Sequence, residues 1–582
     1  MDTSEIAARH NVMVPMRDGV HLTVDIYAPG TDGRYPALLA VSPYGKSGMH
    51  AGQAVSPDVH PTVEQGHTER LLELGYVHVV GDLRGTGKSE GDFSATNNAD
   101  DCYDLVEWIA RQQWSDGNVG MTGISYFARV QVSTASKRPP HLKAIMPFEP
   151  VGADFYRDFA YHGGLLNRQF LTSFHSYVQT PPGREPFSLS EYSKAELKER
   201  VASIRRLPEF DGDEELQAIL DDPMRNPSMF DLMLHPEDQD LYRALSWDDD
   251  CQDVEIPCYF GMWGNHNMVD AFSGPRAFND VASDHKKLIF GPPVFPDRPY
   301  WQYSDEVRRW YGQWLKGEAH GIEDEPPIRI FVTGENKWKY ATEWPLAETR
   351  WTRFYLQPDN WIHEYPPRAK ASNSRFQYEP GKHGSLFCES ATLIEDTEVV
   401  GPLSFYLHGA SSVDGASWIV TLYDVSPDGH KYFLTRGWLK AAHRSLDLTR
   451  STHWRPYHSH RDPTPIEPGV VYDYAIELMP IAHLFHAGHR LGIEISGDEH
   501  ALIERGRGWL ASLVPTERKL IDELMLERFH TPHSVDRRPK TLTVYHDADH
   551  ASYLLAPVTS GNVLGTSSFL RPNGGDVPRW LK

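Results

Sequence analysis

Short apolar runs and longer amphipathic stretches alternate through the first 150 residues. "VHLTVDIYAP" (20–29) alternates as a strand does and stops at Pro29, while "YPALLAVSPY" (35–44) and "YVHVVGDLRG" (76–85) are apolar runs closed by Pro or Gly, the pattern of buried strands. Between them "TVEQGHTERLLELG" predicts a helix stopped by Gly75. "NADDCYDLVEWIARQQW" sets Leu105, Val106, Trp108 and Ile109 on one side and places acids in its first turn, where they meet the positive end of a helix dipole. A strand "NVGMTGIS", a helix from about residue 126 and a strand "LKAIMPFEP" (142–150) follow. Strand and helix in this alternation predict a mostly parallel sheet covered on both faces.

Residues 151–245 change character. They are polar, charged and helical in period ("SKAELKERVASIRRL", "DEELQAIL"), which predicts a helical insertion acting as a cap. The sheet pattern resumes with "IPCYFGMW" and "KKLIFGPP". The helix "DEVRRWYGQWLKG" then puts Val307, Trp310, Tyr311, Trp314 and Leu315 at helical spacing. From about 345 the chain becomes a series of alternating runs ("EVVGPLSFYLHG", "SWIVTLYDVSPDG", "VYDYAIELMP") separated by Gly, Pro and Asp turns, which predicts an all-β sandwich or jelly roll. The expected division is therefore 1–150 and 246–345 for the two parts of an α/β domain, 151–245 for the cap and 346–582 for the β region.

Composition narrows the function classes. The 582 residues exceed a single core, and 40% apolar with 12% aromatic content is enough to fill several. A formal charge of −23 repels phosphate backbones and anionic lipid, so neither nucleic acid nor a membrane surface is an expected partner. The four cysteines form no CxxC, and no run of 18 apolar residues or signal-like start is present, so a cytoplasmic protein is expected. Oligomeric state leaves no mark in the sequence, and a homo-oligomer is admissible.

The chemistry centres on "Gly123-Ile124-Ser125-Tyr126-Phe127", between a predicted strand and a predicted helix. In that context G-x-S-x-G forms a nucleophile elbow, a tight turn that lifts the serine and aims helix N–H groups at an oxyanion. The second small position is Phe127 here. The plainer reading is a serine that caps a helix.

The chain resembles the cocaine-esterase/X-prolyl-dipeptidyl-peptidase group of α/β-hydrolases (CocE/NonD hydrolases). The resemblance is carried by "PMRDGVHLTVDIYAP", "VSPYGK", "DLRGTGKSEGDF", "WSDGNVGMTGISY", "YGQWLKG", "LTRGWLKAAHRSLD" and "FHAGHRLGIEISG", in order along nearly the whole chain. It implies an α/β-hydrolase with a helical cap, followed by a C-terminal jelly roll. It implies Ser125 as nucleophile, with the Tyr44 hydroxyl and the Tyr126 backbone N–H holding the oxyanion. It implies a small-molecule ester or amide substrate, no cofactor and no metal.

The family acid lies in the loop after "CYFGMW", following a Trp. Here that loop reads "Trp263-Gly264-Asn265-His266-Asn267-Met268-Val269-Asp270", with Asn265 near the acid position and Asp270 the one carboxylate. The family histidine follows the next strand in G-P-W-x-H. Here the string is "Gly291-Pro292-Pro293-Val294-Phe295-Pro296-Asp297", and no histidine stands between His285 and His320. His285 precedes the strand, at the wrong end of the sheet.

Three readings stay open. In the first the base is relocated to His266 with Asp270 as its orienter, or to His162, with His162, Trp263 and Asn265 lining the substrate site. The plain alternative for His266 is a polar loop residue. In the second, Asp297 or Asp270 serves non-hydrolytic chemistry, as in a lyase or acyl transferase. In the third the scaffold only binds a ligand.

Two further motifs carry less. "GTGKSEG" (85–91) has Asp82 where a phosphate loop needs its first glycine, and reads as a structural turn. His453, His458 and His460 have metal-like spacing but no carboxylate or cysteine nearby, so no metal is expected.

Overall fold

The structure is a computed structural model. It describes residues 7–46, 64–93, 96, 98–168, 171–172, 185–263, 272–292, 304–382, 384–499 and 533–561. The strands of the α/β part are β1 (Ala7–Pro15), β2 (His21–Ala28), β3 (Tyr35–Ser42), β4 (Val77–Asp82), β5 (Ser115–Ile124) and β6 (Leu142–Phe148). After the two-stranded hairpin β7 (Tyr161–His162) and β8 (Leu165–Leu166) come β9 (Cys258–Trp263), β10 (Lys286–Gly291), β11 (Ile328–Val332) and β12 (Lys337–Ala341); helix α1 (Thr68–Glu73) lies between β3 and β4.

Ten of these strands form one sheet in the order β1-β2-β4-β3-β5-β6-β9-β10-β11-β12. The run from β4 to β11 is parallel, and the pairs β1–β2, β2–β4 and β11–β12 are antiparallel. The antiparallel edge strands β1 and β12 carry too few apolar residues to stand out as strands in the sequence.

The period-2 alternation of each strand sorts its side chains to two faces. On β6, Ile145 and, across the register shift between the pairs Val119–Leu142 and Gly120–Ala144, Leu142 join one core with Leu105, Val106 and Ile109 of helix α2 (Asn98–Ala110) and with Val130 and Val132 of α3 (Tyr126–Ser136). Ala144, Met146 and Phe148 join the other, under Val307, Trp310, Tyr311 and Leu315 of the helix Ser304–Lys316. Both faces are thus covered by helices, as a parallel sheet requires.

Between β6 and β9 lie the helices Ser188–Glu191, Lys194–Arg205, Glu214–Asp221, Pro227–Leu234 and Asp240–Leu245. They enclose their own apolar core around Tyr156, Phe210, Leu216, Phe230 and Tyr242. The longest begins with a capping box: Ser193 accepts from the Glu196 N–H, and Glu196 accepts from the Ser193 N–H.

The remaining strands are β13 (Arg350–Gln357), β14 (Trp361–His363), β15 (Asn373–Tyr378), β16 (Ser385–Ser390), β17 (Thr397–Ser411), β18 (Ser417–Val425), β19 (Lys431–Lys440), β20 (Tyr472–Phe485), β21 (Arg490–Ser496), β22 (Lys540–Tyr545) and β23 (Tyr553–Ser560). They make one sheet that closes on itself because β23 pairs with both β13 and β17. Closure gives β23 partners on both sides, while β15 pairs with β22 alone among the described strands. The expected α/β-hydrolase with a helical cap and a C-terminal β domain is the fold observed. No described helix is long and apolar enough to cross a membrane.

Candidate active site

Ser125 follows β5 directly and precedes the first residue of α3. Its backbone sits at φ 61°, ψ −117°, a region that costs an L-residue about 1–3 kcal/mol and persists only where surroundings enforce it. Three backbone contacts do so. The Ser125 N–H donates to Phe148 O (3.0 Å), the Ile124 N–H to Glu64 O (2.9 Å), and the Arg129 N–H to Ser125 O (3.0 Å). Buried Gln131 adds a fourth link, donating to Gly123 O (3.1 Å) and accepting from the Met146 N–H (2.9 Å).

Gly123, at φ +128°, is required by space as well: a Cβ there would stand 2.3 Å from the Phe127 Cβ. Positions 123 and 127 therefore face each other across the bend. One glycine opens enough room, and the second can be a phenylalanine.

Tyr44 reaches the elbow from the loop after β3. Its hydroxyl is 3.4 Å from the Ser125 Oγ, and both residues are half-buried. The Tyr44 ring packs edge-on against Tyr126 (6.2 Å between centroids) and Phe127 (5.9 Å), so the residue replacing the second glycine braces the hydroxyl. Behind the loop, the buried Asp82 carboxylate accepts from the Lys46 N–H (2.6 Å) and the Lys88 N–H (3.1 Å). Burial pushes this carboxyl up against those two donors. Lys46 Nζ in turn lies 2.9 Å from Asp25. Burial alone would raise the Asp25 carboxyl, but the Asn11 N–H and Lys46 outweigh it and hold the group low.

"GTGKSEG" is thus a turn built around Asp82: a Cβ on Gly87 would meet that carboxylate at 2.2 Å. Tyr126 is the first residue of α3. Its hydroxyl accepts from Asn98 Nδ2 (2.9 Å).

The sequence carries two successive domains of one hydrolase family. The S15 X-Pro dipeptidyl-peptidase profile matches residues 18–293, and that of the X-Pro dipeptidyl-peptidase C-terminal non-catalytic domain matches residues 320–555. The chain belongs to the CocE/NonD, X-Pro dipeptidyl-peptidase-like family of α/β-hydrolases. A cocaine esterase of a Rhodococcus species is 26% identical over 552 residues, spanning 85% of this chain and 91% of that protein. A CocE/NonD hydrolase from Staphylococcus aureus superposes with a TM-score of 0.77 at 22% identity, covering 95% of this chain and 94% of the other. An α-amino acid ester hydrolase gives 0.72 at 20% identity, covering 96% and 97%. Proteins of this family hydrolyse esters and amides.

Within this CocE/NonD fold the sequence-derived residues fall into three groups. Ser125, Tyr44 and Tyr126 come together at the elbow. Asn265, His266, Asp270 and Asp297 lie outside the described residues, as does the Trp263 side chain. The strands that precede them, β9 and β10, stand two and three places from β5 and run parallel to it. His162 is a correction. It is 2% exposed, its Nδ1 is 2.7 Å from His533 Nε2, and its ring stacks on Trp438 of β19 at 5.2 Å. Gly163 explains the placement, since a Cβ there would strike Trp438 O at 1.9 Å, so the hairpin is pressed against the β domain. No described histidine lies within hydrogen-bond distance of the Ser125 Oγ, His162 included.

Buried His460 neighbours His443 and His458, at 5.2 and 5.6 Å between ring centroids, whereas His453 packs on Trp351. No group of three metal ligands exists among the described residues.

The sequence reading missed Glu149. It follows Phe148, the residue that accepts from the Ser125 N–H, and it is fully buried at φ +51°. Its N–H donates to Gly261 O (2.7 Å), tying β6 to β9. A glutamate between Pro147 and Pro150 at the end of a buried strand was the available signal.

Proposed function

We propose that this protein is a serine hydrolase that cleaves a small-molecule ester, or a related amide, through an acyl-enzyme on Ser125. The observation that carries the reading is the half-exposed Ser125 in its strained elbow with the Tyr44 hydroxyl 3.4 Å from its oxygen.

The Ser125 Oγ attacks the acyl carbon while a base takes its proton. The carbonyl oxygen becomes an oxyanion that accepts from the Tyr44 hydroxyl and the Tyr126 N–H. Expulsion of the alcohol or amine, protonated by the same base, leaves the acyl group on Oγ. Water then repeats the sequence and frees the acid.

We assign the base to His266, because β9, parallel to β5 and two strands from it, ends just before this residue, the nearest histidine in the sequence after that strand. Its orienting carboxylate is Asp270 in the same loop. Glu149 is the rival, favoured by its burial and its left-handed backbone beside the elbow. The likeness to a cocaine esterase supports an ester over a peptide amide as substrate.

Labelling with a fluorophosphonate tests the proposal. Stoichiometric modification confined to Ser125, together with turnover of p-nitrophenyl acyl esters, is expected. Absence of labelling in the folded protein over days would discard hydrolysis and leave a lyase, transferase or ligand-binding scaffold.

A further inference from the structure

Side chains on the outer face of a β-sheet are ordinarily polar, because they meet water. One patch of the β domain departs from this. On β13, Phe354 and Leu356 point into the core, and Trp351, Arg353 and Tyr355 alternate with them on the outer face. Register carries the aromatic character sideways: Tyr355 is opposite Tyr553 of β23, which is opposite Tyr406 of β17. The ring centroids are 5.2 and 4.9 Å apart. Trp351, Arg353, Tyr355, Glu364, Tyr406 and Tyr553 line a groove of about 520 Å³, within the ~300–1,000 Å³ of small-molecule sites. It shares no residue with the elbow.

The charges select the ligand. The Arg353 guanidinium already stands 5.2 Å over the Tyr553 ring, so the position a ligand cation would take is filled. An anion attracted by Arg353 would meet Glu364 in the same lining, and the two formal charges cancel. The groove therefore suits a neutral molecule with an apolar ring face and a rim of both donors and acceptors. A pyranose has those properties: its C–H face packs on aromatic carbon, and its hydroxyls accept from guanidinium N–H and donate to carboxylate. The Tyr406 hydroxyl donates to His453 O (2.8 Å), which leaves its oxygen to accept from a sugar hydroxyl, while the Tyr553 phenol, raised by burial, stays protonated at neutral pH.

The geometry points to a saccharide-binding site on the β domain, walled by Trp351, Tyr355, Tyr406 and Tyr553 with Arg353 and Glu364 as polar anchors. Isothermal titration calorimetry of the full chain with maltotriose, cellotriose and xylotriose tests it, with benzoate and tetramethylammonium as charged ring and cation probes. Saturable binding of at least one trisaccharide is expected, weakened about tenfold or more in Trp351→Ala and in Tyr553→Ala, with ester turnover unchanged in both. Arg353→Ala, at an exposed position, repeats the test should either aromatic variant fail to fold. Binding of none of the three sugars, binding of benzoate or tetramethylammonium in their place, or affinity that survives the substitutions overturns the assignment.

Discussion

The Tyr44 hydroxyl stands 3.4 Å from the Ser125 Oγ although the two residues are 81 positions apart in sequence. Neither is free to drift. Ser125 is fixed by the strand-to-helix bend, and Tyr44 by the loop that Asp82 and Asp25 hold through Lys46. A donor set in advance beside a nucleophile stabilises negative charge that develops only during reaction, which lowers the barrier without tightening ground-state binding.

Replacing Tyr44 by Phe keeps the ring packing and removes only the hydroxyl. On the proposed mechanism kcat falls by about 10²–10³ with little change in KM. Steady-state kinetics on a p-nitrophenyl ester, compared with labelling-dead Ser125→Ala, reads this out. An unchanged kcat would remove Tyr44 from the reaction.

The base assignment separates by single substitutions. His266→Asn should slow turnover about a hundredfold or more. His162→Asn should keep kcat and lower the melting temperature, because it breaks the buried contact to His533. Comparing Asp270→Asn with Glu149→Gln identifies the orienting carboxylate by whichever reduces kcat and shifts its pH profile. A slow His162→Asn beside a fast His266→Asn would invert the assignment.

Phe127 fills the space of a second small residue and braces Tyr44. Phe127→Ala should cost about 3–5 kcal/mol in urea unfolding, since the side chain is 1% exposed. It should also lower kcat as the Tyr44 ring loses its backing, with Phe127→Leu recovering most of both. Full activity in Phe127→Ala would show that the ring only fills volume.

Between cap and β domain, Asp154 accepts from Arg157 Nη1 (2.7 Å), Arg243 Nη2 (2.9 Å) and the Tyr457 hydroxyl (2.9 Å). Burial would raise this carboxyl, but the two guanidiniums hold it well below the usual range. A depressed carboxyl stabilises the fold above its unfolded pKa and loses that contribution as pH falls through the folded one. Asp154→Asn leaves Arg157 and Arg243 sharing Asp238 as their one carboxylate and should cost up to about 3 kcal/mol near neutral pH, with the deficit shrinking in strong acid. An equal deficit at all pH values would assign the loss to packing.

His443, His458 and His460 lie beside the same joint, with His443 Nδ1 3.0 Å from His460 Nδ1. Burial depresses all three, and nearby Arg157 adds to it; Lys440 also lowers His443, while Glu477 opposes the effect at His458. The fold therefore keeps these imidazoles neutral. Unfolded histidine takes up a proton below about pH 6.5, so stability falls as pH drops through that value, by up to about 1.4 kcal/mol per pH unit for each. Urea titrations between neutral and mildly acidic pH should show His460→Gln with a shallower slope than the native chain. Parallel slopes would mean that the cluster does not titrate on unfolding.

The pattern of apolar residues was sufficient for the parallel strands β3 to β6, β9 and β10, the helices Asn98–Ala110, Tyr126–Ser136 and Ser304–Lys316, and the turn at Ser125. Those features depend on near neighbours in the chain: alternation, helical spacing, and a glycine where a bend must pass through positive φ. Tertiary structure decided what depends on distant partners. It turned His162 away from Ser125 and onto Trp438, made Phe127 a brace for Tyr44, buried Glu149 beside the elbow, and added polar edge strands whose place is set by pairing rather than by apolar content. A side chain's reach to a residue hundreds of positions away follows from how sheets and loops pack, which no local pattern encodes.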